Sequence, residues 1–177
     1  NGNSIESADV SVKVDSVQIS DDLSLLDENK IPEEWKKAVG EDGKLVENQL
    51  SYIKTGDGVE ALDEVVKTEN VKQKLVFVTA TYKNNSEVTL NHILYLGNLM
   101  LLKSKGDTYQ LYIENEQSGD NYDCIHSSSV AKAFEMDYYS VQEAYGNGGN
   151  YISSLKSGEC VQIEMAWIVD ENQLSNM

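Results

Sequence analysis

The side chains that could do chemistry are few, and their spacing offers little. Cys124 and His126 stand two residues apart, and Ser127, Ser128 and Ser129 follow. Residues two apart on a strand share a face, so the pair could supply a nucleophile and its base. A thiolate needs an electropositive neighbourhood to lower its pKa, and Asp120 and Asp123 supply the opposite. The other histidine is His92. Carboxylates are plentiful: Asp21-Asp22, Asp27-Glu28, Glu41-Asp42, Asp57 and Asp120/Asp123 all sit beside turn-forming residues. Calcium needs six to eight converging oxygens, supplied in an EF-hand loop at fixed offsets, and no window matches that template. A glycosidase-type hydrolase needs two carboxylates at a set separation, which a linear pattern does not specify. Gly146-Asn147-Gly148-Gly149-Asn150 lacks the lysine and the following helix of a phosphate loop. No cofactor and no metal is implied.

Tyrosine is the residue with a flavour of recognition. Five of the ten tyrosines, Tyr122, Tyr138, Tyr139, Tyr145 and Tyr151, fall in the loop-rich stretch 119–158. Tyrosine offers rigid contact area with a polar tip, so Tyr138, Tyr139, Tyr145 and Tyr151 form a candidate surface for a protein or glycan. The competing reading is that they cap the edge of a β core, where tyrosine is commonly enriched.

Charge narrows the partners. The 177-residue chain carries 30 acidic residues against 14 basic ones, all lysine, for a net charge of −16. Such a balance argues against nucleic acid and anionic membranes, which require a cationic face. No apolar run approaches the ~20 residues of a membrane span. The length suits one domain, 1–177, and 40% hydrophobic content is enough for a core. Residues 1–70 hold 17 acids and 7 lysines, a net of −10, while 71–177 hold 13 and 7, a net of −6. Cys124 and Cys160 are too far apart for a metal-ligand motif. They would form one disulfide in an oxidising compartment or remain two unrelated thiols in a reducing one.

The elements that must position these groups read as strands. Val161, Ile163, Met165, Trp167 and Val169 alternate with Gln162, Glu164, Ala166, Ile168 and Asp170, the period-two pattern of a strand with one face in a core. Lys74 to Lys83 is apolar on both faces at its start, which predicts a central strand covered on both sides at one end. Val10, Val12 and Val14 change phase at Asp15-Ser16 to Val17 and Ile19, which predicts a bulge in one long strand. The residues before Val10 read as a flexible lead. Lys103 to Asp107 closes a hairpin that returns through Thr108 to Ile113. Between the first strand and the central one, Pro32 to Gly40 carries helix punctuation, and a helix that short must dock Trp35 on the sheet. Leu45 to Ile53 adds a strand, and Val59 to Val66 fits a helical turn or a strand. The expectation is an all-β antiparallel sandwich with a partly helical insertion, about residues 20–70, after the first strand.

Three segments together resemble a known family. Lys74-Leu75-Val76-Phe77-Val78-Thr79-Ala80-Thr81-Tyr82-Lys83-Asn84-Asn85-Ser86 resembles the apolar strand and Tyr-x-Asn-x-Ser turn of secreted immunoglobulin-like domains from Gram-positive bacteria. Leu155-Lys156-Ser157-Gly158-Glu159 and the strand after it resemble their Lys-x-Gly-Glu signature, and Trp167 to Leu174 resembles their closing strand and turn. These are lipoproteins of unknown function, similar in fold to immunoprotective extracellular antigens. The resemblance covers roughly residues 70–177 and carries no catalytic residue. It implies an immunoglobulin-like fold, export, a cell-surface or secreted location with a lipid anchor attached upstream of Asn1, and either a further strand after Met177 or a sheet edge made differently. It also favours a Cys124–Cys160 disulfide. The expected function is non-enzymatic binding or scaffolding through a protein or glycan partner. The alternative is an extracellular hydrolase using loop carboxylates or Cys124 and His126.

Overall fold

The computed structural model describes residues 4–7, 9–54, 56, 58–60, 62–95, 99, 102–111, 124–127, 139–140 and 151–176. Twelve strands follow one another among these residues: β1 (Ser4–Ser7), β2 (Val10–Ser20), β3 (Asn48–Lys54), β4 (Glu64–Val71), β5 (Gln73–Asn84), β6 (Leu90–Leu94), β7 (Leu102–Lys105), β8 (Thr108–Leu111), β9 (Cys124–Ser127), β10 (Tyr139–Ser140), β11 (Tyr151–Leu155) and β12 (Cys160–Asp170). One helical turn, α1 (Glu33–Lys36), lies between β2 and β3, and a 3₁₀ segment, Glu171–Asn176, follows β12.

The principal sheet has the order β1-β2-β5-β12-β10, with every neighbouring pair antiparallel. Smaller antiparallel sheets are β11-β6, β4-β3-β9 and β7-β8. Among the described residues the fold is mostly strand, and every pairing is antiparallel, as an all-β chain requires.

β5 and β12 are the centre of the molecule, paired without a break from Cys160 opposite Lys83 to Asp170 opposite Gln73. Because side chains alternate across a strand, this pair faces two separate apolar clusters. Val76, Val78, Ala80 and Tyr82 of β5 join Ile163, Met165, Trp167 and Val169 of β12 on one face, packed with Tyr95, Ile152 and Leu155. On the other face Leu75, Phe77, Ala166 and Ile168 meet Leu23, Leu26, Trp35, Ala38 and Leu45 of the insertion. The second face is covered only at one end. Beyond Phe77 its positions become Thr79, Thr81 and Lys83, none of them buried. The switch from apolar to polar residues on β5 marks where the insertion stops.

The expected bulge is present: the β2–β5 register shifts between Val14 and Ser16. Asp15, the extra residue, accepts hydrogen bonds from Lys13 Nζ (3.0 Å) and Thr81 Oγ1 (2.5 Å). Trp35 is buried against β5 as expected. Two expectations need correction. The lead before Val10 is not free, because Ser4–Ser7 pairs with Val10–Lys13 as strand β1. The insertion is barely helical. After α1, Ala38 N–H donates to Trp35 O and Val39 N–H to Lys36 O, tightening the chain into i→i+3 turns. A bridge between Val39 and Leu45 then turns it back through Gly43, whose φ of 79° suits glycine. The rest of the insertion is turns and the strands β3 and β4. The ambiguous stretch 59–66 ends as strand, since β4 begins at Glu64.

Candidate functional site

The acidic insertion is the first place to look. Its aspartates form turns rather than a cluster. Asp22 Oδ1 accepts from Ser24 N–H at 2.9 Å, Asp27 Oδ1 from Asn29 N–H at 3.0 Å, and Asp42 Oδ1 from Lys44 N–H at 3.1 Å. Each carboxylate bonds the backbone two residues on, the local turn geometry aspartate favours. Ser20 and Ser24 hydroxyls also donate to Asp22, and together with the Ser24 N–H they hold its pKa down to about 2. Among the described residues no three carboxylate, histidine or cysteine side chains converge as a metal ion would require. Asp57 and Asp120/Asp123 lie outside the described residues.

Where the insertion meets β5 there is a cleft of about 190 Å³, lined by Asp21, Asp42, Lys44, Glu47, Lys72 and Lys74 among others. Lys74 pairs with Asp21 and, at 3.0 Å, with Glu171. Those hydrogen bonds raise the Lys74 pKa, and the Lys74 ammonium lowers that of Asp21. Three acids and three lysines give the cleft no net charge to attract an ion of either sign. Gln73 forms part of its lining and is itself buried. Behind it, Asn48 and Asp170 are buried and bonded to each other.

The catalytic candidates fall in two sheets. Cys124 and His126 occupy alternate positions of β9, opposite Ile53 and Ser51 of β3; their side chains lie outside the described ones. His92 is on β6, in a different sheet, with φ at 55°. Of the tyrosines, Tyr138 and Tyr145 lie outside the described residues, Tyr139 stands opposite Ala166 at the edge of the principal sheet, and Tyr151 pairs with Leu94 in the β11-β6 sheet. Tyr139 and Tyr151 thus belong to different sheets. Cys160 is an exposed free thiol at the start of β12.

The two turn motifs conspicuous in the sequence meet in space. Asn84 is fully buried. Its Nδ2 donates to Val88 O at 2.7 Å and to Leu155 O at 2.9 Å, while Oδ1 accepts from Ser86 N–H and Oγ. Ser157 Oγ donates to Ser86 O, and Gly158 N–H donates to Asn84 O. Gly158 has φ at 71°, where a side chain would be strained. The Tyr-x-Asn-x-Ser and Lys-x-Gly-Glu segments therefore form one joint between the β5–β6 turn and the β11–β12 turn.

Comparison with family models, with curated proteins and with solved structures found no match. Among the described residues no helix is long and apolar enough to cross a membrane.

The feature that sequence reasoning missed lies on β2. Val14, Val17 and Ile19 read as core positions in the alternation, yet they are 42%, 56% and 55% exposed. They form a row along one strand of the principal sheet. No signal in the sequence separates them from Val10 and Val12, which are packed against the larger cluster.

Proposed function

We propose that the chain is a non-enzymatic, immunoglobulin-like β-sandwich that binds or scaffolds at the cell surface or after secretion. The observation that carries the binding reading is the exposed apolar row Val14, Val17 and Ile19 on β2, since contiguous exposed apolar surface marks interaction sites. A sandwich is supported by the way β6 and β11 contribute Ile93, Ile152 and Leu155 to the cluster on one face of β5 and β12. The immunoglobulin-like resemblance is supported by the joint at Asn84, because the two signatures that carry it bond each other. Export, and a lipid anchor attached upstream of Asn1, follow from the same resemblance.

Among the described residues, the exposed carboxylates with shifted pKa are not tuned as general acids. A general acid needs a carboxyl pKa raised toward neutrality. The bonds made by Asp15, Asp21, Asp22, Asp27, Glu33 and Glu69 lower theirs instead. Asp170, whose pKa burial raises, is enclosed with Asn48 and open to no substrate.

The test is a pull-down with the immobilised chain against cell-wall glycans, host glycans and extracellular proteins, alongside turnover assays on the same glycans and on peptides. Saturable capture without turnover is the expected result. Turnover that disappears in Cys124→Ala or His126→Ala would overturn the reading in favour of the hydrolase.

A further inference from the structure

The hairpin β3–β4 is an arm rather than a layer. β4 is exposed on both faces from Glu64 to Thr68, so it lies on no core. Among the described residues its strand partner is β3, which carries β9 on its other side. At the far end Val59 and Leu62 are 89% and 90% exposed. The hairpin is braced from within: Tyr52 Oη donates to Glu69, and Lys67 Nζ lies 4.6 Å from the centre of the Tyr52 ring.

Both strands of the arm meet the body at one place. Asn48, the first residue of β3, opposes Val71, the last of β4, and Lys72 alone separates Val71 from β5. Asp170 holds both sides of that root. Its carboxylate accepts from Asn48 Nδ2 at 2.9 and 3.1 Å and from the side chain of Gln73, which is also its ladder partner. All three side chains are buried. A backbone bond of 2.7 Å from Glu171 N–H to Lys72 O crosses the same root.

We propose that Asp170 is a proton-operated clasp: its protonation holds the β3–β4 arm against the body, and its ionisation lets the arm swing as a unit about Val71–Gln73. The clasp is independent of what the chain binds. Its basis is the penalty for burying charge. A carboxylate shut away from water and met by two amides is poorly compensated, and opening the root readmits water to it. The neutral acid carries no such penalty, and the Gln73 amide has a carbonyl end to accept its O–H. Burial outweighs the two amide bonds in setting the proton affinity of Asp170. The closed arm therefore binds the proton more tightly than the open one, and acid favours closure.

The charged groups near the root do not replace the amides as partners. Glu47 precedes β3, Lys72 and Lys74 flank Gln73, and Glu171 follows Asp170. Across the cleft stand Asp21, Asp42 and Lys44 of the insertion. Lys74 is engaged by Asp21 and Glu171, and Lys44 reaches Asp21 at 3.8 Å. Among the described residues no lysine forms an ion pair with Asp170, so its charge is left to Asn48 and Gln73.

The experiment follows the whole chain, ¹⁵N- and ¹³C-labelled, by NMR from about pH 4 to about pH 7.5. Amide exchange, corrected for its intrinsic pH dependence, is read at Glu171 and along the β3–β4 and β5–β12 ladders. Residual dipolar couplings report the orientation of the arm against that of β5 and β12. As pH rises, protection of the Glu171 N–H is expected to fall at least about threefold. The couplings of β3 and β4 should shrink relative to those of β5 and β12, while both ladders keep their protection. The midpoint should coincide with the titration of Asp170 Cγ in the same sample, a comparison that needs no variant. Asp170→Asn, which cannot ionise, should abolish the pH dependence. A flat profile, a midpoint apart from that of Asp170, or pH dependence retained in Asp170→Asn would overturn the proposal. So would ladder protection lost in step with Glu171, which assigns the change to melting of the hairpin or of the whole fold.

Discussion

Asn48 lays its side-chain amide across the carboxylate of Asp170, at 2.9 Å from Oδ1 and 3.1 Å from Oδ2. The contact ties the first residue of β3 to the last of β12, and both side chains are buried. Burial raises the Asp170 pKa, and its hydrogen bonds from Asn48 and Gln73 pull it back. Asn48→Ala removes a donor from a buried carboxylate, an interaction whose loss typically costs about 2–4 kcal/mol at pH 7. The sign with pH follows from linkage. With a folded pKa above the unfolded 3.8, the folded state binds the proton more readily. The group's contribution is therefore greatest below the unfolded value and is lost as pH rises through the folded one. The mutation raises the folded pKa further, so the gap between variant and wild type should be widest at neutral pH and narrow towards about pH 4. Urea melts at the two pH values measure this; an unchanged gap would show that the ionised carboxylate is not what Asn48 serves.

Asn84 uses both side-chain donor protons and both acceptor positions at the joint between two turns. Asn84→Ala strands the buried Leu155 carbonyl and should cost about 2–4 kcal/mol. Asn84→Asp keeps the shape and the bonds from Ser86 but sets a carboxylate against the Val88 and Leu155 carbonyls, so it should be at least as damaging at pH 7. Chemical denaturation ranks the two. Equal stability of Asn84→Ala and wild type would mean the joint contributes nothing net.

How much of this was legible depended on whether a residue's fate was set locally. The bulge at Asp15 was readable because a bulge inverts the alternation, and the alternation is written in consecutive side chains. The doubly covered start of β5 was readable for the same reason: Leu75, Val76, Phe77 and Val78 leave no polar face. The helix at Pro32 was only half readable. Its caps were present, but the tertiary bridge between Val39 and Leu45 draws the chain away after one turn. Strand β1 was invisible, because four residues with one apolar side chain carry no period and pair only because β2 offers an edge. The exposed row on β2 was invisible for a different reason. Whether Val17 is buried depends on how far the cover over Val78 extends, which is a property of distant segments. Acidic pairs in the insertion invited a metal or hydrolytic reading, whereas Asp22, Asp27 and Asp42 each close a turn of their own.

Trp35 is the anchor that makes the insertion a cover for the β5–β12 face. It is 2% exposed and shares a cluster with Leu75, Phe77, Ala166 and Ile168. A single helical turn has no stability of its own, so the segment is ordered by this burial. Trp35→Ala should cost about 3–5 kcal/mol. Lys36→Ala, one residue along, removes only the exposed pair with Glu33 and should cost under about 0.5 kcal/mol. Guanidinium melts of the two variants give the contrast, and comparable losses would deny Trp35 its anchoring role.

Asp22 makes the acid limb of stability testable at one residue. Ser24 Oγ, Ser20 Oγ and the Ser24 N–H hold its folded pKa at about 2, against 3.8 for the free side chain. A depressed folded pKa means the unfolded chain takes up the proton first as acid is added. The stability this carboxylate contributes is therefore complete above 3.8 and is lost as pH falls from there through about 2. Asp15, Asp21, Asp27, Glu33 and Glu69 are shifted in the same direction, so wild-type Tm should decline steadily on acidification. Asp22→Asn keeps an oxygen acceptor for the Ser24 N–H but has no carboxyl proton to gain. Its Tm should lie below wild type at neutral pH, where the ionised carboxylate makes the stronger bonds, and converge on it below about pH 3. Thermal melts from about pH 6 down to pH 2 would show the convergence. Curves that stay parallel would mean that the serines hold Asp22 as firmly protonated as ionised, and the acid limb belongs to the other carboxylates.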